Sequence, residues 1–401
     1  MKDTYEAIKV TDDIYWVGAI DWGIRDFHGY LTGRGTTYNA FVILADTITL
    51  IDTVKAPFKQ EMLARIASIV NPEDISYIIS NHTEMDHSGS LPDVIEAVKP
   101  EKVFASMNGV KALADHFHMD REIIGVQDRE TVSLGSRNVT FVETKMLHWP
   151  DSMFTYLTEE KFLFSSDAFG MHLASSERFA DQLDDGILEY EAAKYYANIL
   201  LPFSPLVTKL LDKVAGLGIT INTIAPDHGP IWRKEPTRML NSYATWAAQE
   251  PTNKAVVVYD TMWESTTAMA RAIGEGLAAG GTTTRLMPLR SCHRSDVATD
   301  ILDAGALLVG SPTINNNIFP TVADTLTYLK GLKPQNLIGA AFGSCGWSGE
   351  AVKQISDMLA AMKIELIGDG VKVKYVPDSA ALAQCYSLGE RIAAKLKETC
   401  K

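Results

Sequence analysis

The C-terminal part of the chain alternates between short apolar runs and longer stretches of helical period. Runs such as Ala255-Val256-Val257-Val258-Tyr259 are continuous rather than alternating, as in strands covered on both faces. The pattern predicts strands over 254–259, 283–287, 305–310 and 336–342, with a weaker one over 371–375. Helices are predicted between them over 266–279, 321–331, 348–361 and 380–397. Alternating β and α over about 150 residues reads as a doubly wound parallel sheet. The N-terminal part is mixed. It predicts strands over 39–44, 47–53, 75–80, 102–105, 139–144, 153–157, 161–165 and 221–225, and helices over 57–70, 91–98 and 189–215.

Composition sharpens this division. A chain of 401 residues with 46% hydrophobic and 22% charged positions folds, and its length suggests two domains. With 37 Lys/Arg against 50 Asp/Glu, the net charge of −13 leaves no global basic footprint for nucleic acid. The acidity is uneven: residues 1–250 hold 22 basic and 36 acidic side chains, net −14, and residues 251–401 hold 15 and 14, net +1. Glu250-Pro251-Thr252-Asn253 supplies a break at the same place, because Pro251 biases its predecessor away from helix. The expected domains are therefore 1–250 and 251–401. No apolar run approaches the ~18 residues of a membrane span, and MKDTYEAIKVTDD has no apolar core of a signal peptide. Cys292, Cys345, Cys385 and Cys400 form no CxxC pair, which excludes a local zinc ribbon and suits a cytoplasmic protein with free thiols.

Chemistry concentrates in loops that follow strands. Asn81-His82-Thr83-Glu84-Met85-Asp86-His87 sets two imidazoles and two carboxylates within six positions after the strand 75–80. His148, Asp167 and His228 also sit just beyond predicted strands, where sheet enzymes gather ligands. A lone histidine is usually a packing or surface residue; H-x-E-x-D-H with three spaced partners is a metal-site pattern.

The motif resembles that of the metallo-β-lactamase superfamily, with Glu84 in place of the usual second histidine. A carboxylate there makes the site harder and more anionic, which favours iron over zinc. An Asp between two ligand sets can bridge metals about 3.5–4 Å apart.

In the second half, Thr261-Met262-Trp263-Glu264-Ser265-Thr266 joins a strand to a helix without GxGxxG. Its hydroxyls and the helix N-terminus suit a phosphate. Ser311-Pro312-Thr313-Ile314-Asn315-Asn316 and Gly343-Ser344-Cys345-Gly346-Trp347-Ser348-Gly349 follow the third and fourth strands. The second of these offers an aromatic to flank an isoalloxazine. Three such loops in this order resemble the flavodoxin family and imply FMN.

The two halves together resemble the flavodiiron proteins, over essentially the whole chain. Asp26-Phe27-His28-Gly29-Tyr30, Met146-Leu147-His148-Trp149-Pro150-Asp151-Ser152 and Gly346-Trp347-Ser348-Gly349-Glu350 carry the likeness. The resemblance implies an αββα metallo-β-lactamase-like sandwich followed by a flavodoxin-like sheet. It implies two irons, one held by His82, Glu84 and His148 and the other by Asp86, His87 and His228, with Asp167 and an oxo or hydroxo group bridging. His87 is the least secure of these ligands. It implies FMN on the three loops, reduction of dioxygen to water or of nitric oxide to nitrous oxide, and rubredoxin as a separate donor. It also implies a head-to-tail homodimer or a tetramer. A 250-residue domain has a radius of gyration of roughly 18 Å, so a flavin and the irons of one chain are expected to lie far apart. Lys372, Lys374 and Arg294 are expected to favour an acidic donor.

His28 and Tyr30 are expected near the irons. Tyr196, on an amphipathic helix, is a further candidate for the site, weighed against core packing. Trp149 is expected to pack or to cover the metals. His116, His118, His172 and His293 are expected to face solvent. Competing functions are a zinc hydrolase with a regulatory flavodoxin half, against which Glu84 argues, and an electron carrier without turnover, against which the seven-ligand set argues.

Overall fold

Alternation decides the faces of the first sheet. In the strand Phe41–Ile43, Phe41 and Ile43 join one apolar cluster while Val42 joins another. Ile51 and Leu50 divide the same way, as do Ile79 and Ile78. A strand's side chains point alternately to opposite faces, so both faces of this sheet are covered. The computed structural model describes residues 5–400; residues 1–4 of the N-terminal stretch read above for a leader lie outside them.

The chain divides into two units. One holds residues up to His28, Thr32–Tyr195 and Pro205–Ala244; the other holds Gly29–Leu31, Tyr196–Ser204 and residues from Thr245 onward. The expected linear border at 250 meets this division near 244, but two short segments of the N-terminal part pack with the second unit.

The first unit has a seven-stranded sheet in the order Ile8–Lys9, Ile14–Trp16, Phe41–Ile43, Thr49–Ile51, Tyr77–Ser80, Lys102–Ser106 and Ile124–Val126. A five-stranded sheet follows: Thr131–Ser133, Asn138–Glu143, Met153–Leu157, Phe162–Phe164 and Thr223–Ala225. The inner faces meet in a core where the Phe41 ring lies 5.2 Å from that of Phe164 and 6.5 Å from that of Phe162. On the outer face of the first sheet, Met62 and Ile66 of the helix Lys59–Ala67 and Leu91 and Val94 of Leu91–Val98 cover Val42, Leu50 and Ile78. Burying each such side chain contributes about 1.5–3 kcal/mol.

The single helix expected over 189–215 is four elements: Asp185–Tyr195, a π-turn Tyr196–Leu200, a 3-10 turn Leu201–Phe203 and a helix Ser204–Gly216. Pro202 has no N–H to continue the ladder, and its ring biases Leu201 away from regular helix. The interruption is the segment Tyr196–Ser204 that belongs to the second unit. The helices Met107–Phe117, Thr237–Ala248 and Arg294–Ile301 and the strands Ile14–Trp16, Thr36–Tyr38, Ile124–Val126 and Thr131–Ser133 were not predicted from the pattern. For the strands the reason is length, since three residues are too few to display a period.

In the second unit the parallel strands run in the order Thr283–Pro288, Thr252–Tyr259, Ala304–Gly310, Ile338–Cys345, with Glu365–Leu366 and Val371–Lys374 both beside the last. This is the 2-1-3-4-5 order, whose direction reverses between the first and third strands. Helices Ser265–Ala279 and Ser379–Thr399 pack tightly, because a Cβ on Gly276 or Gly389 would lie only 2.0 Å or 2.2 Å from a carbonyl oxygen of the other helix. No described helix is long and apolar enough to cross a membrane.

Candidate functional site

Four loop segments at the strand ends of the first unit converge. His82 follows the strand Tyr77–Ser80. Glu84 precedes the one-turn helix Met85–Ser88, which carries Asp86 and His87. His148 lies in the connection between Asn138–Glu143 and Met153–Leu157. Phe164 pairs with Ala225 in register, so Asp167 and His228, each three residues further on, emerge side by side.

The seven candidate ligands form two groups joined at one carboxylate. In the first, His148 Nε2 lies 3.0 Å from Glu84 Oε2, and His82 Nε2 lies 3.4 Å from the same oxygen. Asp167 Oδ2 lies 3.3 Å from His82 Nε2 and 3.2 Å from His148 Nε2. In the second, His228 Nε2 and His87 Nε2 approach Asp86 at 3.3 Å and 3.4 Å. Asp167 Oδ1 faces the second group, 3.2 Å from His87 Nε2 and 3.5 Å from His228 Nε2. Each oxygen of Asp167 thus serves a different group. Separations near 3 Å are those of donors at about right angles around a cation with bonds of about 2.1 Å.

The donor set fits metals on a second ground. Both carboxylate oxygens of Asp86 and of Asp167, and both ring nitrogens of His87, are buried without a hydrogen-bond partner. Such groups are costly unless something else satisfies them. Burial opposes protonation of the imidazoles, yet the surrounding carboxylates outweigh it. They raise His82 and His87 well above the usual range and His148 to about 9. Burial opposes ionisation of Asp167 as well, but His87 and His148 hold it well below the usual carboxylate range. The pocket favours positive charge.

Supporting bonds fix the loops. Asn39 accepts from Trp16 Nε1 at 2.8 Å and donates to the carbonyls of Pro226 and Gly229 at 2.7 Å and 2.9 Å. Its N–H donates to Asp227 O. His228 Nδ1 faces Thr37 O at 2.7 Å, which directs Nε2 to the cluster. His28 stands at the exposed edge with Nε2 3.0 Å from Glu84 Oε1. Trp149 meets His82 edge-on, with ring centroids 5.3 Å apart, and stacks on exposed His116.

Several expectations need correction. Tyr30 is buried within the second unit, so of its loop it is His28 that reaches the cluster. Tyr196 also belongs to the second unit. Its hydroxyl lies 3.0 Å from Ser204 Oγ, its ring lies 5.4 Å from that of Trp246, and burial pushes its pKa up to about 12. The neighbouring Tyr195 is the one that faces the site, its ring 5.1 Å from His172 and 6.1 Å from His228. A signal existed, since Leu188, Ala192 and Tyr195 form the buried i, i+4, i+7 stripe of their helix. His172 is wholly buried rather than solvent-facing, 4.7 Å from His228 by ring centroids and 2.9 Å from Thr36 Oγ1. Nothing in its surrounding sequence displays a period that would have placed it. His293 is half-buried at the start of Arg294–Ile301, while His116 and His118 are exposed. Arg294 is not spare, because it pairs with Asp324 at 2.6 Å.

In the second unit a cavity of ≈ 700 Å³ opens at the reversal point of the sheet. Met262, Trp263 and Ser265 line it from the first loop, Pro312, Thr313, Asn315 and Asn316 from the second, and Ser344, Cys345, Gly346, Trp347 and Ser348 from the third. Trp263 and Trp347 are 88% and 90% exposed, flat faces offered to a planar ring. Thr261, Thr266, Ser311 and Gly349 stand behind this lining. The Ser311 hydroxyl is turned to Pro312 O and Phe319 N, and Thr266 Oγ1 lies 3.4 Å from Ser344 Oγ. Tyr375 and Val376, which the loop pattern missed, complete the wall. The cradle fits a phosphate at the helix N-terminus and a flat aromatic between exposed rings.

Residues 36–229 match the family described as ODP family beta lactamase, and residues 257–389 match Flavodoxin. The chain is 49% identical over 397 residues to a nitric oxide reductase of Moorella thermoacetica, covering 98% of this chain and 100% of that one. It superimposes on the rubredoxin oxygen:oxidoreductase of Desulfovibrio gigas with a TM-score of 0.97 at 47% identity, covering 98% and 99% of the two chains. It superimposes on the flavodiiron protein of Giardia intestinalis with a TM-score of 0.95 at 34% identity, covering 98% of each. With both halves and their order matched over nearly the whole length, this chain belongs to the flavodiiron protein family.

Proposed function

We propose that this chain is an oxidoreductase that takes electrons from rubredoxin through FMN to a diiron centre, where dioxygen is reduced to water, nitric oxide to nitrous oxide, or both. The observation that carries this reading is the split carboxylate of Asp167, one oxygen toward His82, Glu84 and His148 and the other toward Asp86, His87 and His228. Those residues would hold two irons with Asp167 as the bridge. When bound, the two irons and reduced FMN supply the four electrons that dioxygen requires.

The chain's own residues set the conditions. Three carboxylates, Glu84, Asp86 and Asp167, offset the charge of the cations they gather. His28 links solvent to Glu84 Oε1, since its side chain is 73% exposed and its Nε2 lies 3.0 Å from that oxygen. It can carry protons inward as the reaction consumes them. Phe27 packs in tilted contact with His28 and His172, its ring centroid 4.3 Å and 4.9 Å from theirs. The four cysteines are free, which accords with a cytoplasmic protein. Two domain-sized units and the reach of electron transfer support a head-to-tail homodimer, or a tetramer of such pairs, in which the flavin of one chain serves the irons of another.

Metal analysis tests the reading. Protein produced with iron available should carry about two irons per chain and one FMN. Two zinc ions and no iron would instead support the hydrolase reading. The loop assignment makes its own prediction. Thr266→Ala removes the hydroxyl that faces Ser344 across two loops, and FMN affinity should fall about tenfold, the effect of one lost hydrogen bond. Iron content should stay constant; equilibrium titration with FMN reads the change.

The donor surface is tested by salt. Val371 and Val373 point into the core, so Lys372 and Lys374 project from the same strand into solvent, next to Tyr375 of the flavin cavity. Rubredoxin turnover should slow as ionic strength rises, and Lys374→Glu should slow it at low salt. A rate independent of salt would place the donor elsewhere.

A further inference from the structure

We infer that Asp151 is a positioning residue that prepares one of the two metal sites, that of His82, Glu84 and His148, before metal arrives. The inference rests on the diiron reading above. Asp151 is buried, 3% exposed, in the connection that carries His148. It is not itself among the seven ligands.

One oxygen of Asp151 makes two contacts with the loop of the other imidazole. Asp151 Oδ2 accepts from the Thr83 N–H at 2.7 Å and lies 3.2 Å from His82 Nδ1. A carboxylate can only accept, so the contact selects the His82 tautomer with its proton on Nδ1. Once a metal takes the place of any proton on Nε2, that nitrogen's lone pair is directed between Glu84 and Asp167. This is the carboxylate–histidine–metal arrangement, which fixes ring orientation and raises ligand basicity.

Asp151 also couples the two imidazoles of this site. Its carbonyl accepts from Ser106 Oγ at 2.6 Å, and Ser106 in turn caps the helix Met107–Phe117 through Gly109 N at 3.0 Å. Two residues on, Met153 N donates to Asn81 O. The loop of His82 and the loop of His148 come from different sheets, and these bonds lock them together. In the second site no carboxylate holds a ring nitrogen in this way; His228 Nδ1 faces the Thr37 carbonyl at 2.7 Å instead. His87 Nδ1 faces Asp227 Oδ2 at 3.7 Å, beyond hydrogen-bond reach, and has no other partner among the described residues.

The test measures iron affinity at each site in the full-length protein carrying FMN. Chelator competition with ⁵⁷Fe, read by Mössbauer spectroscopy, distinguishes the two irons. Asp151→Ala should weaken one iron about 10–100-fold and leave the other and the FMN as in the parent. Asp151→Asn keeps the shape and can still accept from Thr83 N–H, but removes the charge beside His82. It should fall between parent and alanine variant. Equal affinities in parent and both variants overturn the inference. So does equal loss of both irons in Asp151→Asn with its fold intact by circular dichroism, because a general structural role would act on both sites. If the parent itself binds no iron, it is the diiron reading that fails.

Discussion

Asp167→Ala should abolish the uptake of dioxygen and of nitric oxide while FMN remains bound. Asp167 is the carboxylate that both groups share, with Oδ2 at 3.2–3.3 Å from His148 and His82 and Oδ1 at 3.2–3.5 Å from His87 and His228. Removing it leaves four imidazoles around a site with one carboxylate fewer, so mutual repulsion rises as attraction for cations falls. Loss of a bridging ligand should exceed the 10–100-fold effects typical of groups one layer further out. Turnover is expected to drop by more than about a hundredfold in an oxygen electrode with reduced rubredoxin as donor. Flavin absorbance should be unchanged, since the FMN loops belong to the other unit. Uptake at the parent rate would show that the two groups do not act as one centre.

Asn39→Ala should be the most destabilising single change near the site. The side chain is 1% exposed and satisfies three buried partners: Trp16 Nε1, Pro226 O and Gly229 O. Truncation leaves all three without Asn39, and each stranded group costs about 1–3 kcal/mol, so a loss of at least about 3 kcal/mol is expected. The damage is directed, because the two carbonyls flank Asp227 and His228. Thermal unfolding followed by far-ultraviolet circular dichroism should shift the transition of the first unit and not that of the flavin unit. Iron content should fall alongside. An unshifted transition would mean that water replaces the amide at no cost.

The two units differ in how openly the sequence displays them. In the second, each strand is a continuous apolar run, and Val256, Val257 and Leu308 are buried on either face of the sheet. Such runs, with helices of ordinary length between them, leave little freedom in the reading. In the first, most strands are three to six residues long, and Thr36–Tyr38 or Thr131–Ser133 carries no readable period. The interrupted helix after Tyr195 shows a further limit. The helix expected over 189–215 ran through Pro202, and that Tyr196–Ser204 would join the other unit depends on contacts remote in sequence.

The candidate ligands were legible for a chemical reason. His, Glu and Asp crowded into six positions after a strand are too costly to bury without a cation, so their clustering is itself information. His28 was expected only through the family resemblance carried by its loop. Tyr195, His172 and Asp151 were not, since a tyrosine, a histidine and an aspartate each standing alone have many ordinary uses.

The sequence by itself pointed to two domains, a doubly wound parallel sheet in the second, a cluster of candidate metal ligands and three loops suited to a flavin. These are written in local periodicity and in the identities of groups that cannot be buried alone. The tertiary structure decided which oxygen of Asp167 faces which group, that Tyr195 rather than Tyr196 meets the site, and that Asp151 stands behind His82. The physical reason is that hydrogen bonds and ring contacts act over 3–6 Å between segments 19 to 69 residues apart in sequence. Only the packing of two sheets brings those segments together.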